Sequence, residues 1–306
     1  MTISVRATGY GGPEVLAVLD VPVGEPGPGE VRVAMRAAGV NPIDYKLYSG
    51  MLGSDPAALP MPLGLEGAGV IEAVGPDVGL AVGTEVVVYP ASGTYAAALV
   101  VPADSVLPKP AGLSFEEAAG LLLVGATAVH AIDATQVARG DNLLVHGAAG
   151  GVGLAVVQLA VRRGARVIGT ASEGNHALLR ELGAEPIAYG DGLADRVRAL
   201  APGGVDAALD LVGGPEALQV SLALVADRAR IATIANFAAS AQGVAVLGGM
   251  GDQARLRAAA RPELLRLAGE GTLKVRVAAT YPLTDAAEAH RAIKQGHTVG
   301  KIVLTV

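Results

Sequence analysis

The segment His146-Gly147-Ala148-Ala149-Gly150-Gly151-Val152-Gly153 has the composition and spacing of a phosphate-binding loop, with the pattern Ala148-x-Gly150-x-x-Gly153. Gly150 lets the backbone approach a phosphate, and Gly153 lets a helix pack closely on a strand. An apolar stretch at 142–146 precedes the loop, a helical stretch at 151–163 follows, and a second apolar stretch occupies 166–170. In such a βαβ unit the exposed N–H groups at the helix start, with the helix dipole, favour a dinucleotide pyrophosphate. Ala148 stands where the first glycine is usual. A tight strand-to-helix turn without a ligand is the competing reading.

The end of the second strand selects the coenzyme, because an acidic residue there pairs with the ribose hydroxyls of NAD and repels a 2′-phosphate. Here the strand ends at Thr170, followed by Ala171 and Ser172, with Asn175 and His176 close behind. Hydroxyl, amide and imidazole groups all suit a phosphate, so NADPH is predicted. Glu173, turned inward, serves NADH instead, and Ser172 also reads as an N-cap.

Residue types exclude other chemistries. The chain has no cysteine, which removes disulfides, thiol nucleophiles and thiolate zinc sites together. Its histidines, at 130, 146, 176, 290 and 297, form no H-x-x-x-H pair, and no metal site is predicted. A formal net charge of −6 offers nothing to neutralise a nucleic-acid backbone, so no nucleic-acid partner is expected. No apolar run of about 20 residues is free of Gly, Pro or charge, and Met1-Thr2-Ile3-Ser4-Val5-Arg6 lacks the apolar core of a signal peptide. The expectation is a cytoplasmic protein without membrane association, acting on a small molecule.

The elements that must position these groups follow from length and pattern. At 306 residues the chain exceeds one usual domain, and with 51% hydrophobic but 3% aromatic residues its core must be built from Ala, Val, Leu and Ile. Short strands at 15–19, 30–37, 69–74 and 85–89, separated by turns such as Glu25-Pro26-Gly27-Pro28-Gly29, predict a small β-barrel. From about Leu113 helices alternate with brief strands, including 207–211 and 230–234, as in a doubly wound parallel sheet of Rossmann type ending near Gly249. A helix at 253–267 follows, and strand-like text returns at 274–279 and 301–306. The prediction is an α/β chain with a catalytic domain at 1–117, a nucleotide domain inserted at 118–252, and the rest of the catalytic domain at 253–306.

Further segments carry a resemblance. Gly39-Val40-Asn41-Pro42-Ile43-Asp44, Gly64-Leu65-Glu66-Gly67-Ala68-Gly69 with Val74-Gly75, and Gly125-Ala126-Thr127-Ala128 stand in order with the phosphate loop. Tyr281-Pro282-Leu283, Ala287-Glu288-Ala289-His290 and Gly300-Lys301 complete the series. The chain resembles, over nearly its whole length, the zinc-free quinone oxidoreductases (zeta-crystallin-like) of the medium-chain dehydrogenase/reductase superfamily. The resemblance implies a GroES-like β-barrel, discontinuous in sequence, beside the Rossmann domain, and a homodimer paired through a sheet edge. The apolar stretch 229–239 reads either as that edge or as an internal strand. Zinc-dependent relatives carry Cys at the place of Asn41 and a His-Glu pair at Leu65-Glu66, so the implied activity is zinc-independent.

The implied reaction is hydride transfer from NADPH to a quinone or an α,β-unsaturated carbonyl. The resemblance places Asn41 and Asp44 on the substrate side, although Asn-Pro-x-Asp is also a natural turn. Tyr45 and Tyr48 share a face if this segment is helical, Lys46 and Tyr48 if it is extended, and all three are candidate proton donors. A surface phenol is the alternative for Tyr48. The resemblance assigns Gly151 and Val152 to the pyrophosphate, Tyr189 to the adenosine, and Thr127, Val212 and Gly213 to the nicotinamide. Asn236 and Phe237 close over the nicotinamide, unless Phe237 is core, and Lys301 reaches the coenzyme, unless it is a surface lysine. Related enoyl-thioester reductases have Gly-x-Tyr where this chain has Gly50-Met51-Leu52, which disfavours thioesters. The alternatives are an NADPH-binding sensor or structural protein with weak catalysis, and an enoyl-thioester reductase in which Tyr45 or Tyr48 substitutes for the absent Tyr.

Overall fold

The computed structural model describes residues 1–249 and 252–306. The chain forms two compact units, one of Met1–Leu123 with Pro262–Val306 and one of Val124–Arg261. The first opens with β1 (Thr2–Ala7), β2 (Leu16–Val21), β3 (Glu30–Val40) and α1 (Pro42–Tyr48). It continues through β4 (Met61–Pro62), β5 (Gly67–Val74), β6 (Glu85–Val88), β7 (Ala98–Pro102), β8 (Val106–Pro108) and α2 (Phe115–Ala119). After α3 (Leu122–Ala134) the second unit runs β9 (Asn142–His146), α4 (Gly151–Arg163), β10 (Arg166–Thr170), α5 (His176–Glu181) and β11 (Glu185–Ile187). It then runs α6 (Leu193–Leu200), β12 (Ala207–Asp210), α7 (Pro215–Leu224), β13 (Ile231–Thr233) and β14 (Ala245–Val246). After α8 (Asp252–Gly269) the chain returns to the first unit with β15 (Val277–Pro282), α9 (Ala286–Gln295) and β16 (Lys301–Thr305).

Among the described residues, the second unit holds one parallel sheet in the order β11-β10-β9-β12-β13-β14. Its central strand β9 buries Leu143, Leu144 and Val145 completely, the composition of a strand covered on both faces. The apolar stretch 229–239 contributes β13, which lies between β12 and β14 and is therefore an internal strand. Helix α4 ends on Gly164 in the left-handed region, with Arg162 and Arg163 in its last turn, favourable to the negative end of the helix dipole.

In the first unit, one sheet runs β15-β16-β3-β5-β6-β8, with β7 also pairing β3, and a second runs β2-β1-β4. β16 pairs antiparallel with β3, so the last residues of the chain lie beside residues 37–40. β1 escaped the sequence reading because Thr2 and Ser4, polar residues, are buried on it. The expected divisions at 117/118 and 252/253 differ from those of the two units, which fall within α3 and α8. Composition marks where helices begin, as at the Ser114–Glu117 capping box before α2, and not where packing changes partner.

One core cluster of the second unit gathers Leu144, Ile168, Val197, Ala208 and Ile231 around the sheet. Leu144→Ala should destabilise that unit by about 2–5 kcal/mol through lost transfer energy and a residual cavity. Urea denaturation followed by circular dichroism checks this; an unchanged midpoint would show that Leu144 is not a packing residue.

Candidate active site

In the second unit, β9 ends at His146 and the chain turns through Gly147–Gly150 into α4. Ala148 N–H donates to Thr170 O at 3.0 Å and Gly147 N–H to Thr170 Oγ1 at 3.1 Å, so β10 holds the turn in place. A Cβ on Gly153 would run into the carbonyl oxygens of Gly147 and Ala148, and the close approach of helix to loop therefore requires glycine. Gly150 is the N-cap of α4 and supplies no side-chain cap, which leaves the first-turn N–H groups for an anion. A Cβ at Gly150 would meet no atom closer than 3.5 Å, so the outer side of the turn is open. The loop fits a pyrophosphate.

At the end of β10, Ser172, Asn175 and His176 come together. Asn175 Nδ2 donates to Ser172 Oγ at 2.9 Å, and His176 Nε2 lies 3.3 Å from Ala171 O and donates to it. Ser172 is the N-cap of a short 3-10 turn, yet its side chain makes no capping bond. Glu173 beside it is exposed. Tyr189 lies on a loop after β11 and is 52% exposed. Val212 and Phe237 are 61% and 56% exposed, which removes the core reading of Phe237. Val212 faces the phosphate turn, because a Cβ on Gly147 would stand 2.7 Å from Val212 Cγ2. Thr127 is buried within α3.

The first unit gathers Asn41, Asp44, Tyr48 and Lys301, but buries all four. Lys301 Nζ donates to Val40 O at 3.0 Å, Asn41 Oδ1 at 2.6 Å and Glu66 Oε1 at 2.9 Å. It is 4% exposed, which corrects the surface reading of this lysine. Asn41 Nδ2 donates to Glu66 Oε1 at 3.0 Å, and Leu123 N–H to Glu66 Oε2 at 2.8 Å. The Asn41 amide is thus fully engaged inside its own unit.

Asn41 also starts α1, with Pro42 in the first turn, and its N–H donates to Asp44 Oδ2 at 2.8 Å. Tyr95 Oη donates to the same oxygen at 2.9 Å, while Asp44 Oδ1 is buried without a partner. Burial, only partly offset by those two donors, raises the Asp44 carboxyl to about 7. Tyr95 Oη also lies 3.1 Å from His290 Nε2, and Tyr48 Oη 2.8 Å from His290 Nδ1. Since Tyr95 gives its hydrogen to Asp44, the chain of donors runs from Tyr48 to His290 Nδ1, from His290 Nε2 to Tyr95, and from Tyr95 to Asp44. Burial lowers His290 to about 4, so the ring is neutral.

This network corrects the surface alternative for Tyr48, and the segment is helical, as α1. Tyr45 and Tyr48 are thereby three residues apart on one helix. Tyr45 and Lys46 are partly exposed, and the Lys294 ammonium lies 5.8 Å from the Tyr45 ring centre. The sequence assigns no role to Tyr95 and offers His290 only as part of the tail motif Ala287-Glu288-Ala289-His290. Its position in the tail motif was a signal; Tyr95 had none.

Residues 27–111 match the alcohol dehydrogenase GroES-like domain, and residues 182–304 match a zinc-binding dehydrogenase domain. A quinone oxidoreductase of Pseudomonas aeruginosa is 34% identical, with 99% of each chain covered. The chain belongs to the quinone oxidoreductase family. It is an oxidoreductase of the medium-chain dehydrogenase/reductase superfamily. A 2-haloacrylate reductase of Burkholderia sp. is also 34% identical, over 96% of each chain. The crystal structure of Escherichia coli quinone oxidoreductase complexed with NADPH superposes with a TM-score of 0.87 at 30% identity, covering 99% of this chain and 100% of that one.

The buried histidine gives this oxidoreductase a pH signature. Its pKa lies below the unfolded value of 6.5, so its neutral form contributes stability that is present above pH 6.5 and lost as pH falls through about 4. Asp44, raised from 3.8 to about 7, works in the opposite direction, destabilising the fold as pH rises across that window. Tyr48, Tyr95 and Lys294 are the other groups facing the ring. In His290→Gln the stability deficit against wild type should shrink by roughly 3 kcal/mol at most between pH 6.5 and 4. Thermal melts across this range check it; a deficit independent of pH would show that the ring does not titrate there.

Proposed function

We propose that this enzyme transfers hydride from NADPH to quinones or to alkenes conjugated with a carbonyl, without zinc and as a homodimer. The observation that carries the reading is the uncapped N-terminus of α4, packed through Gly153 against a glycine turn. The N–H groups of Gly151, Val152 and Gly153, beside Ala149 and Gly150, hold the pyrophosphate. Ser172, Asn175 and His176 supply hydroxyl, amide and imidazole groups to the 2′-phosphate, with Thr170 fixing the turn between them. Tyr189 flanks the adenosine, and Thr127, Val212, Asn236 and Phe237 flank the nicotinamide. When bound, the reduced nicotinamide supplies the hydride.

The acceptor gains one hydride and one proton. Tyr45 and Lys46, the accessible polar groups of α1, are the donors this reading favours, while buried Tyr48 and Asn41 fix the segment from inside. Asp44, titrating near neutrality, holds a proton within the same segment. The residues do not fit a zinc ion. Glu66 and Asn41 are already engaged by the Lys301 ammonium, and among the described residues no three His, Cys, Asp or Glu groups converge. An electron-poor acceptor needs little Lewis-acid help, and the acrylate in the name of the Burkholderia relative is one such alkene. Among the described residues no helix is long and apolar enough to cross a membrane.

Enzyme dialysed against a chelator should oxidise NADPH with a panel of ortho- and para-quinones and small enones. Its kcat/KM for NADPH should exceed that for NADH by about tenfold or more. No turnover with any acceptor would overturn the reaction, and a preference for NADH would overturn the role of Ser172 and His176.

A further inference from the structure

Thr170 pairs with His146, His146 with Asp210, and Asp210 with Thr233, so these four side chains occupy one row across four adjacent parallel strands. The row lies at the carboxyl ends of β10, β9, β12 and β13, and all four residues are buried. The neighbouring positions in β9 and β12 are apolar, so this polar tier carries a desolvation cost that only complete hydrogen bonding offsets. Thr170 meets it by holding Gly147 N–H. Ser221 gives its hydroxyl to Ala217 O at 2.7 Å, so His146 Nε2–H must be the donor in the 3.1 Å contact with Ser221 Oγ.

Asp210 and Thr233 hold two loops together. Asp210 Oδ1 accepts the N–H groups of Val212 at 3.0 Å and Gly213 at 2.8 Å, and Oδ2 accepts the Thr233 hydroxyl at 3.0 Å. With its hydrogen directed to Asp210, Thr233 Oγ1 accepts from Ala235 and Asn236 N–H, both at 3.1 Å. The loops also touch directly. Gly213 has φ +85°, and a Cβ there would come within 2.9 Å of Ala235. Their backbones are pinned from inside, while Val212 and Phe237 present apolar side chains outward.

We propose that Asp210 and Thr233 are positioning residues for the nicotinamide half of the coenzyme, acting through the backbones of residues 212–213 and 235–236. The inference rests on the NADPH reading above. The clamp holds no part of residues 172–176, so it divides the coenzyme functionally: one half depends on it and the other does not.

Thr233→Val removes the acceptor and leaves the Ala235 and Asn236 N–H groups unmatched; Thr233→Ser keeps it. NADPH binding is followed by fluorescence and binding of 2′-phospho-ADP-ribose, which lacks only the nicotinamide, by calorimetry. Thr233→Val should weaken NADPH about tenfold while 2′-phospho-ADP-ribose stays within about twofold of wild type, and Thr233→Ser should restore NADPH. Should Thr233→Val not fold, Asp210→Asn serves. Its oxygen still accepts the two loop N–H groups, but its amide cannot accept the Thr233 hydroxyl, and NADPH should weaken selectively again. Equal loss of both ligands, or no loss of NADPH, overturns the clamp. Wild-type protein that binds 2′-phospho-ADP-ribose but gains nothing from the nicotinamide also overturns it, whereas wild-type protein that binds neither ligand overturns the coenzyme reading itself.

Discussion

The buried ammonium of Lys301 is the contact on which the first unit depends. It stands on the last strand, 260 residues from Asn41 and 235 from Glu66, and bonds to both. An ammonium this deeply buried is tolerable only because three oxygens take its three hydrogens, and removing a partner from such a site typically destabilises a fold by about 3–5 kcal/mol. The contact also explains how a discontinuous unit closes. Residues 302–305 pair with β3, and the ammonium of Lys301, immediately before them, reaches the start of α1. The segment that bears the candidate substrate-facing residues is therefore held by the far end of the chain.

From that anchor the polar interior extends in two directions. Glu66 carries it to Leu123 N–H, and Asn41 carries it through its own N–H to Asp44. Asp44 continues it through Tyr95 to His290 and Tyr48, so α9 and α1 are joined by an aromatic relay in which His290 stacks on Tyr48 and meets Tyr95 edge-on. These groups share a surrounding of low dielectric, where pairing is strong and an unpaired atom is costly. Asp44 Oδ1 is the unpaired atom, and its burial accounts for a carboxyl that titrates near neutrality.

The second unit answers the same constraint differently. The buried polar side chains of its central strands gather at the carboxyl ends, where Thr170 holds the turn after β9, His146 meets Ser221 of α7, and Asp210 and Thr233 bond the backbones of the loops that follow their strands. A parallel sheet buried on both faces has no other place to put them. The carboxyl ends are also where such sheets bind ligands, so the groups that shape the loops sit directly beneath the positions proposed to meet the coenzyme.

Much of this could be read from residue order. The glycine spacing of 147–153, the strand at 142–146 and the helix at 151–163 are local, because backbone freedom and periodicity act over a few residues, and the structure has them at those positions. The absence of cysteine likewise limited the metal chemistry from composition alone. What sequence left open were matters of partnership: whether Tyr48 faces water, whether Lys301 reaches out or in, and whether 229–239 is an edge or an interior strand. Residue order determined which side chains could donate or accept. Only tertiary packing decided which of them met, because Tyr48 and His290, 242 residues apart, have no local signal of their hydrogen bond.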